Sequence, residues 1–206
     1  MGWVSRGEGG RRVTAWEELV GGIVARLSGH SSAASFLPHL ADLAGEVPMP
    51  CVERNALLPV QRYWPAAGSG DALGQALATV DAQIGAGWRQ NPNYRANPPS
   101  AGFLDNYGYL ECVGPEAPVR TDNLRLGLLL LGPATLYPPH QHPAEEIYLP
   151  LGPGRWWRAG DSWRELTAGA VIHHPPLCGH ATESGAEALA AIYLWRGAIA
   201  RAAEIV

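Results

Sequence analysis

The chain is short of charge, and what charge it has is nearly balanced. Charged residues make up 17% of the 206, and the formal net charge is −4. A balance so mild, with no basic patch and no recognisable pair of DNA-binding helices, gives no reason to expect nucleic acid or an anionic membrane as partner. Long hydrophobic runs are missing too. The most apolar stretch, 126–131, falls far short of the roughly 20 residues that cross a bilayer. The first residues, MGWVSRGEGGRR, lack the apolar core of a secretory signal. Cysteine is scarce: Cys51, Cys112 and Cys178 are odd in number and far apart, which fits a reducing cytoplasm rather than a disulfide framework. There is no internal repeat and no low-complexity tract.

Glycine, proline and tryptophan are abundant, at 25, 18 and 8 residues. With 47% hydrophobic residues, the chain has material for one sizeable core in a turn-rich β fold with aromatic packing. The first dozen residues read as disordered. Trp16, Leu19, Val20, Ile23, Val24 and Leu27 then recur at spacings of three and four, which predicts an amphipathic helix. Thr14 and Glu17 form a capping box at its start, and Gly29 ends it. A shorter helix is expected over 35–44, and a third after the cap residue Asp71, with Leu73, Ala76, Leu77, Val80 and Ile84 on one stripe. Residues 55–70 are irregular and 91–100 read as a loop.

From about Gly102 the apolar period shifts toward two. Strands are predicted over 107–113, 120–131, 148–151, 170–174 and 188–195, with a hairpin over 156–166. The architecture expected is an N-terminal helical region, 1–100, packed on an antiparallel β-barrel, 101–206.

One stretch, 132–152, gathers the chemistry: GPATLYPPHQHPAEEIYLPLG. Side chains alternate along a strand, so His140 and His142 share a face, and Glu146 and Tyr148 share it too if the strand continues. Glu145 and Ile147 then turn away, Glu145 toward solvent. Pro138, Pro139 and Pro143 allow a turn or bulge to intervene. Two imidazoles and a carboxylate on one face outline a first-row metal site, with His180 as the fourth ligand. The blander alternative is that these histidines are hydrogen-bonded in a polar core. Cys178 is either a weak ligand or, more simply, a small buried apolar residue. His173 and His174 read as structural histidines at a strand end, the alternative being that one of them faces the barrel interior.

The motifs carried by these residues resemble those of the cupins, jelly-roll barrels with metal ligands on the inner face. Gly132, His140-Gln141-His142, Glu146 and then Gly152 or Gly154 follow the first cupin motif loosely, with a glycine-to-histidine gap longer by two. Gly169, Pro175 and His180 follow the second, with Leu177 in place of a glycine and Ser184 in place of an asparagine. Within that superfamily the chain is similar to the dimethylsulfoniopropionate (DMSP) lyases of marine bacteria. They share the helical region before the barrel and the pattern Tyr-x-x-His-x-His-x-x-x-Glu-x-Tyr, matched by Tyr137, His140, His142, Glu146 and Tyr148. The later histidine and a pocket tryptophan are matched by His180 and Trp195.

The resemblance implies a mainly β cupin barrel and a carbon–sulfur lyase that releases acrylate and dimethyl sulfide by β-elimination. It implies a divalent transition metal, Fe, Zn or Mn, on His140, His142, Glu146 and His180. Tyr148 is then the general base, Tyr137 a substrate-orienting phenol, and Trp195 a ring for the sulfonium through its quadrupole. Trp163, Tyr193 and Tyr107 are further aromatic candidates. The expected partner is a small zwitterionic substrate, with a second copy of the chain as the remaining candidate. Two rivals use the same ligands: another metal-dependent cupin, a dioxygenase or isomerase that needs no tyrosine base, and a non-catalytic small-molecule-binding cupin.

Overall fold

The computed structural model describes residues 14–50, 57–85 and 87–206. The expected disordered N-terminal dozen, Trp3 and Cys51 lie outside the described residues. The chain runs α1 (Ala15–Leu27), α2 (Leu37–Leu43), α3 (Ala72–Ile84), β1 (Trp88–Arg89) and α4 (Pro92–Ala96). It continues through β2 (Tyr107–Gly114), β3 (Val119–Arg120), β4 (Leu124–Leu131), β5 (Leu136–Gln141), β6 (Ala144–Pro150) and β7 (Gly154–Arg158). It ends with β8 (Arg164–Leu166), β9 (Ile172–His174), β10 (His180–Glu183), β11 (Leu189–Gly197) and β12 (Glu204–Ile205). Short 3₁₀ turns at Pro59–Tyr63 and Ala66–Gly68 fill the irregular stretch before α3.

The strands form two facing sheets. One has the order β1-β2-β4-β11-β6-β9, with β3 beside β2; the other runs β12-β5-β10-β7-β8. All neighbours are antiparallel except β2 and β3. This is the jelly-roll barrel expected, mainly β, with the helices at its N-terminal side. Both β1 and α4 lie before residue 101, so the larger sheet draws a strand from the helical half, and α4 occupies the stretch read as a loop.

The helices form where the periodicity put them. Thr14 and Glu17 close a reciprocal capping box on α1. Asp71 caps α3 and accepts a two-pronged hydrogen bond from Arg26, which ties α3 to α1. Trp16, Leu19, Ile23, Leu77 and Val80 are buried against the outer face of the larger sheet. That packing explains the unbroken leucines of β4. Leu126, Leu128 and Leu130 face the helices, while Leu129 and Leu131 face the barrel interior. A strand covered on both faces has no polar side to alternate. Gly127 breaks the leucine run for a steric reason, since a Cβ there would stand 2.0 Å from the Leu110 carbonyl oxygen and 2.8 Å from the Tyr193 ring that lies across it.

Candidate metal centre

The site is assembled by a strand that breaks. Residues 136–150 do not continue as one strand. Leu136–Gln141 joins the smaller sheet as β5, His142 and Pro143 cross over, and Ala144–Pro150 joins the larger sheet as β6. His140 and His142 therefore approach Glu146 and Tyr148 from the facing wall rather than along one face. The turn that the prolines allowed is the device that closes the barrel here. β10 supplies His180, directly opposite His140 in register. β6 lies between β9 and β11, so Glu146 stands between His174 and Trp195.

His142, Glu146 and His180 converge, with ligand atoms all within 4.8 Å of one another. They are 3%, 0% and 2% exposed. Nε2 of His142 lies 3.1 Å and Nε2 of His180 3.0 Å from Glu146 Oε2. The Nδ1 atoms of His140, His142 and His180 each sit 2.8–2.9 Å from a backbone carbonyl, of Pro138, Ala144 and Cys178. A carbonyl only accepts, so each Nδ1 carries the proton and each neutral ring keeps its lone pair on Nε2. His180 Nε2 is buried and has no hydrogen-bond partner among the described residues. Lone-pair nitrogens crowding one carboxylate oxygen at about 3 Å is the spacing of ligands that each stand about 2.1 Å from a shared ion. The donor set therefore fits a divalent metal.

Without an ion, an N–H turned toward the carboxylate can do the same electrostatic work. Burial alone would raise the Glu146 carboxyl, but His142 and His180 beside it outweigh burial and hold it well below the usual carboxylate range. Burial first, and His180 next, push His140 well below the ordinary imidazole value. The same causes bring His174 down to about 3. Metal-free protein should then lose stability in acid. An unfolded chain takes up these protons near pH 6.5, whereas folded His174 resists down to about 3. Stability is full above pH 6.5 and falls below it, by about 1.4 kcal/mol per pH unit for each such histidine. Lowered Glu146 adds its loss, in the same direction, at more acid pH. Urea midpoints of the metal-free protein measured from pH 7 down to pH 5 check this, and a flat profile would show that these rings are not held neutral.

His140 stands beside the three converging residues. Its ring meets His180 edge-on at 4.1 Å and stacks on Tyr137 at 3.8 Å. Tyr137 in turn shares a hydrogen bond of 3.0 Å with Tyr94, from α4. Tyr148 is 4% exposed, with its ring 6.3 Å from that of His180. Burial, and then Glu146 beside it, push its phenol well above the usual value. Trp195 stacks one face on His142 at 4.0 Å and donates its indole N–H to Glu146 Oε1. It thus holds the candidate ligands in place, with one ring face already covered.

Other expectations change on contact with the structure. Glu145 does turn away from the cluster, but it is not a solvated carboxylate: His173 and Arg196 bond its two oxygens, and its side chain is 15% exposed. His174 is the last residue of β9 and faces the barrel interior. It is 2% exposed, stacks on His180 at 4.1 Å, and neither of its nitrogens has a partner among the described residues. Trp163 is 37% exposed under the Arg155 guanidinium, on the outside. Cys178 is half-buried, outside the core and outside the ligand group. Leu177, in the place of the motif glycine, adopts the left-handed conformation at φ 60°. Ser184, in the place of the asparagine, donates to Gly132 O and accepts from Thr135 N, pinning β10 to the start of β5.

A cavity of about 690 Å³ opens beside the cluster, lined in part by Tyr137, Trp195, Tyr107, Tyr109, Tyr193, Glu111 and Arg125. None of the His and Glu donors lines it; Tyr137 and Trp195 stand between. Glu111 and Arg125 had gone unnoticed in the sequence. The signal was there: Tyr107, Tyr109 and Glu111 alternate on one strand, which turns a charged residue inward with two aromatic ones.

Two facing sheets of a jelly-roll barrel thus enclose two histidines and a carboxylate that could hold a metal ion. A family model described as dimethylsulfoniopropionate lyase matches residues 33–191, and the chain belongs to that family. It is 34% identical over 165 residues to dimethylsulfoniopropionate lyase DddQ of Ruegeria pomeroyi, covering 75% of this chain and 81% of that one. The crystal structure of that DddQ superposes with a TM-score of 0.70, covering 93% of this chain and 96% of the other at 25% identity. A putative dimethylsulfoniopropionate lyase, DddL of Cereibacter sphaeroides, is 29% identical over 92 residues, covering 44% of this chain and 39% of its own. Among the described residues no helix is long and apolar enough to cross a membrane.

Proposed function

We propose that this protein is a metal-dependent lyase that cleaves DMSP to acrylate and dimethyl sulfide. The observation that carries the reading is the buried His142–Glu146–His180 group beside Tyr148, in a chain of this family. His142, Glu146 and His180 would hold the ion, with His140 packed against them as the further donor. When bound, the metal draws charge from the substrate carboxylate and so eases loss of the neighbouring proton.

The protein supplies the rest. Tyr148 Oη, as phenolate, takes the proton from the carbon α to the carboxylate. That C–H pair becomes the new double bond, and the bond from the β carbon to sulfur breaks with its pair leaving on sulfur. Dimethyl sulfide and acrylate result, and the proton stays on Tyr148 until it passes to water. A phenol held well above its usual value is a strong base once ionised, and it needs the positive charge of metal and sulfonium to ionise at all. Tyr137, stacked on His140 and bonded to Tyr94, orients the substrate. Walls formed by Tyr137 and Trp195 keep bulk water from the reacting atoms.

This donor set accepts Fe, Mn, Zn, Co or Ni, and of these Fe, Zn or Mn are the ions the family resemblance implies. A reducing cytoplasm suits the two described cysteines, both free. The test is release of acrylate and dimethyl sulfide from DMSP by purified protein, before and after chelation. Release should vanish with chelator and return with added metal. Metal-loaded protein that releases neither product would end the reading.

A further inference from the structure

We infer that the metal reaches its buried ligands through a second cavity, at the seam between β8 and β9, and that His174 is the relay ligand on that route. The inference rests on the metal reading of His142, Glu146 and His180 and not on the identity of the substrate.

The barrel opens on two sides. β8 ends the smaller sheet and β9 ends the larger one. Between these two edges lies a cavity of about 430 Å³, and it shares no lining residue with the larger cavity. Exposed Ser32, Asp161 and Arg164 stand at its rim, and its two buried lining residues are Trp156 and His174. The Tyr148 ring lies 5.2 Å from that of Trp156, and the His180 ring 4.1 Å from that of His174. One ring therefore separates this cavity from the ligand group.

His174 has no part in holding the fold that an apolar ring would not play better. It is 2% exposed, and neither of its nitrogens has a hydrogen-bond partner among the described residues. Burying polar atoms that way costs free energy, and a phenylalanine would fill the same space without the cost. What the imidazole adds is a lone-pair nitrogen, a ligand for a first-row ion. Its near-parallel stack on His180, 12° between planes, puts the next imidazole one stacking distance away. His174 lies outside the converging group, so it is a stage on the way and not a resident ligand.

The larger cavity offers a dication less. Its carboxylates, Glu111 and Glu116, are paired with Arg125 and Arg89, and Arg95 and Arg201 line it as well. Four guanidiniums against two carboxylates oppose a doubly charged ion in transit. No histidine lines that cavity, and the Tyr137 and Trp195 rings that bar it from the ligands present no lone-pair nitrogen. The seam cavity has two arginines, Arg158 and Arg164, and Asp161 pairs with the first.

Mixing metal-free protein with Co²⁺ tests this without substrate. Growth of the visible absorption of the bound ion gives the uptake rate, its final height gives occupancy, and excess chelator then gives the release rate. His174→Phe keeps the stack and removes both nitrogens. It should slow uptake and release equally, each by about tenfold, and leave occupancy and Kd unchanged. Loss of a resident ligand would instead weaken Kd and speed release. Ala170→Trp, which crowds the seam cavity, should also slow both directions, whereas Ala200→Trp in the wall of the larger cavity should slow neither. Unchanged rates in both His174→Phe and Ala170→Trp would overturn the route, and so would a weaker Kd with faster release in His174→Phe. Should His174→Phe not fold, Ala170→Trp compared with Ala200→Trp decides. A wild-type protein that takes up no Co²⁺ loses the metal reading and the route together. One that loads through the seam but releases no dimethyl sulfide from DMSP keeps both and loses only the substrate.

Discussion

Glu146→Gln should yield a folded protein with almost no bound metal and dimethyl sulfide release reduced by about a thousandfold or more. The substitution changes charge and little else in shape. Glu146 is the one anionic member of the group, is fully buried, and faces two Nε2 lone pairs. An amide there brings N–H donors, which can satisfy those lone pairs directly. The site then becomes a closed hydrogen-bond network instead of an open set of ligands. Metal-free stability at neutral pH should fall somewhat, because folding favours the ionised carboxyl that this variant lacks. Metal analysis together with thermal unfolding separates this outcome from simple misfolding. A variant that keeps its metal at full occupancy would show that the ion is held elsewhere.

Tyr148→Phe should do the opposite to the metal and nearly the same to the reaction. Metal content should stay at the wild-type level, while kcat for DMSP falls by about a thousandfold and KM moves little. The hydroxyl is the only atom lost, from a residue packed against Trp156, so the ring remains to fill the barrel. This variant also separates the rivals. A dioxygenase or an isomerase using the same ligands has no need of that phenol, and its activity would survive. Retained lyase activity in Tyr148→Phe, with metal bound, would move the proton transfer to another group.

The sequence disclosed the destination of the site better than its route. Even spacing put Glu146 and Tyr148 on one strand, β6, and Pro143 flagged the break before it, across which His142 arrives. Spacing could not reveal that the break carries the chain to the opposite sheet, since that depends on how the barrel closes. Strand β10, only four residues long, has no period to detect, and β1 and β12 are shorter still. β4 was legible as a strand, but its two buried faces needed the helices to explain them. Glu145 was read from its direction alone; its partners come from β9 and β11, 28 and 51 residues away. The inward turn of Glu111 follows from the alternation of β2, yet its hydrogen bond from the Tyr193 hydroxyl passes over Gly127 on a third strand and is visible only in the fold.

The division of labour between strands has an evolutionary consequence. The converging donors and the base arise from the β5–β6 crossing, β6 and β10, while the cavity wall away from them is built by β2, β4 and β11. Substitutions on β2 and β4 can alter which substrates are welcomed without disturbing how the proton is removed. A lineage can therefore drift to new substrates by neutral steps, one wall residue at a time, while its chemistry stays fixed. Among the described residues Tyr137 and Trp195 belong to both parts, and they are where such drift should meet resistance.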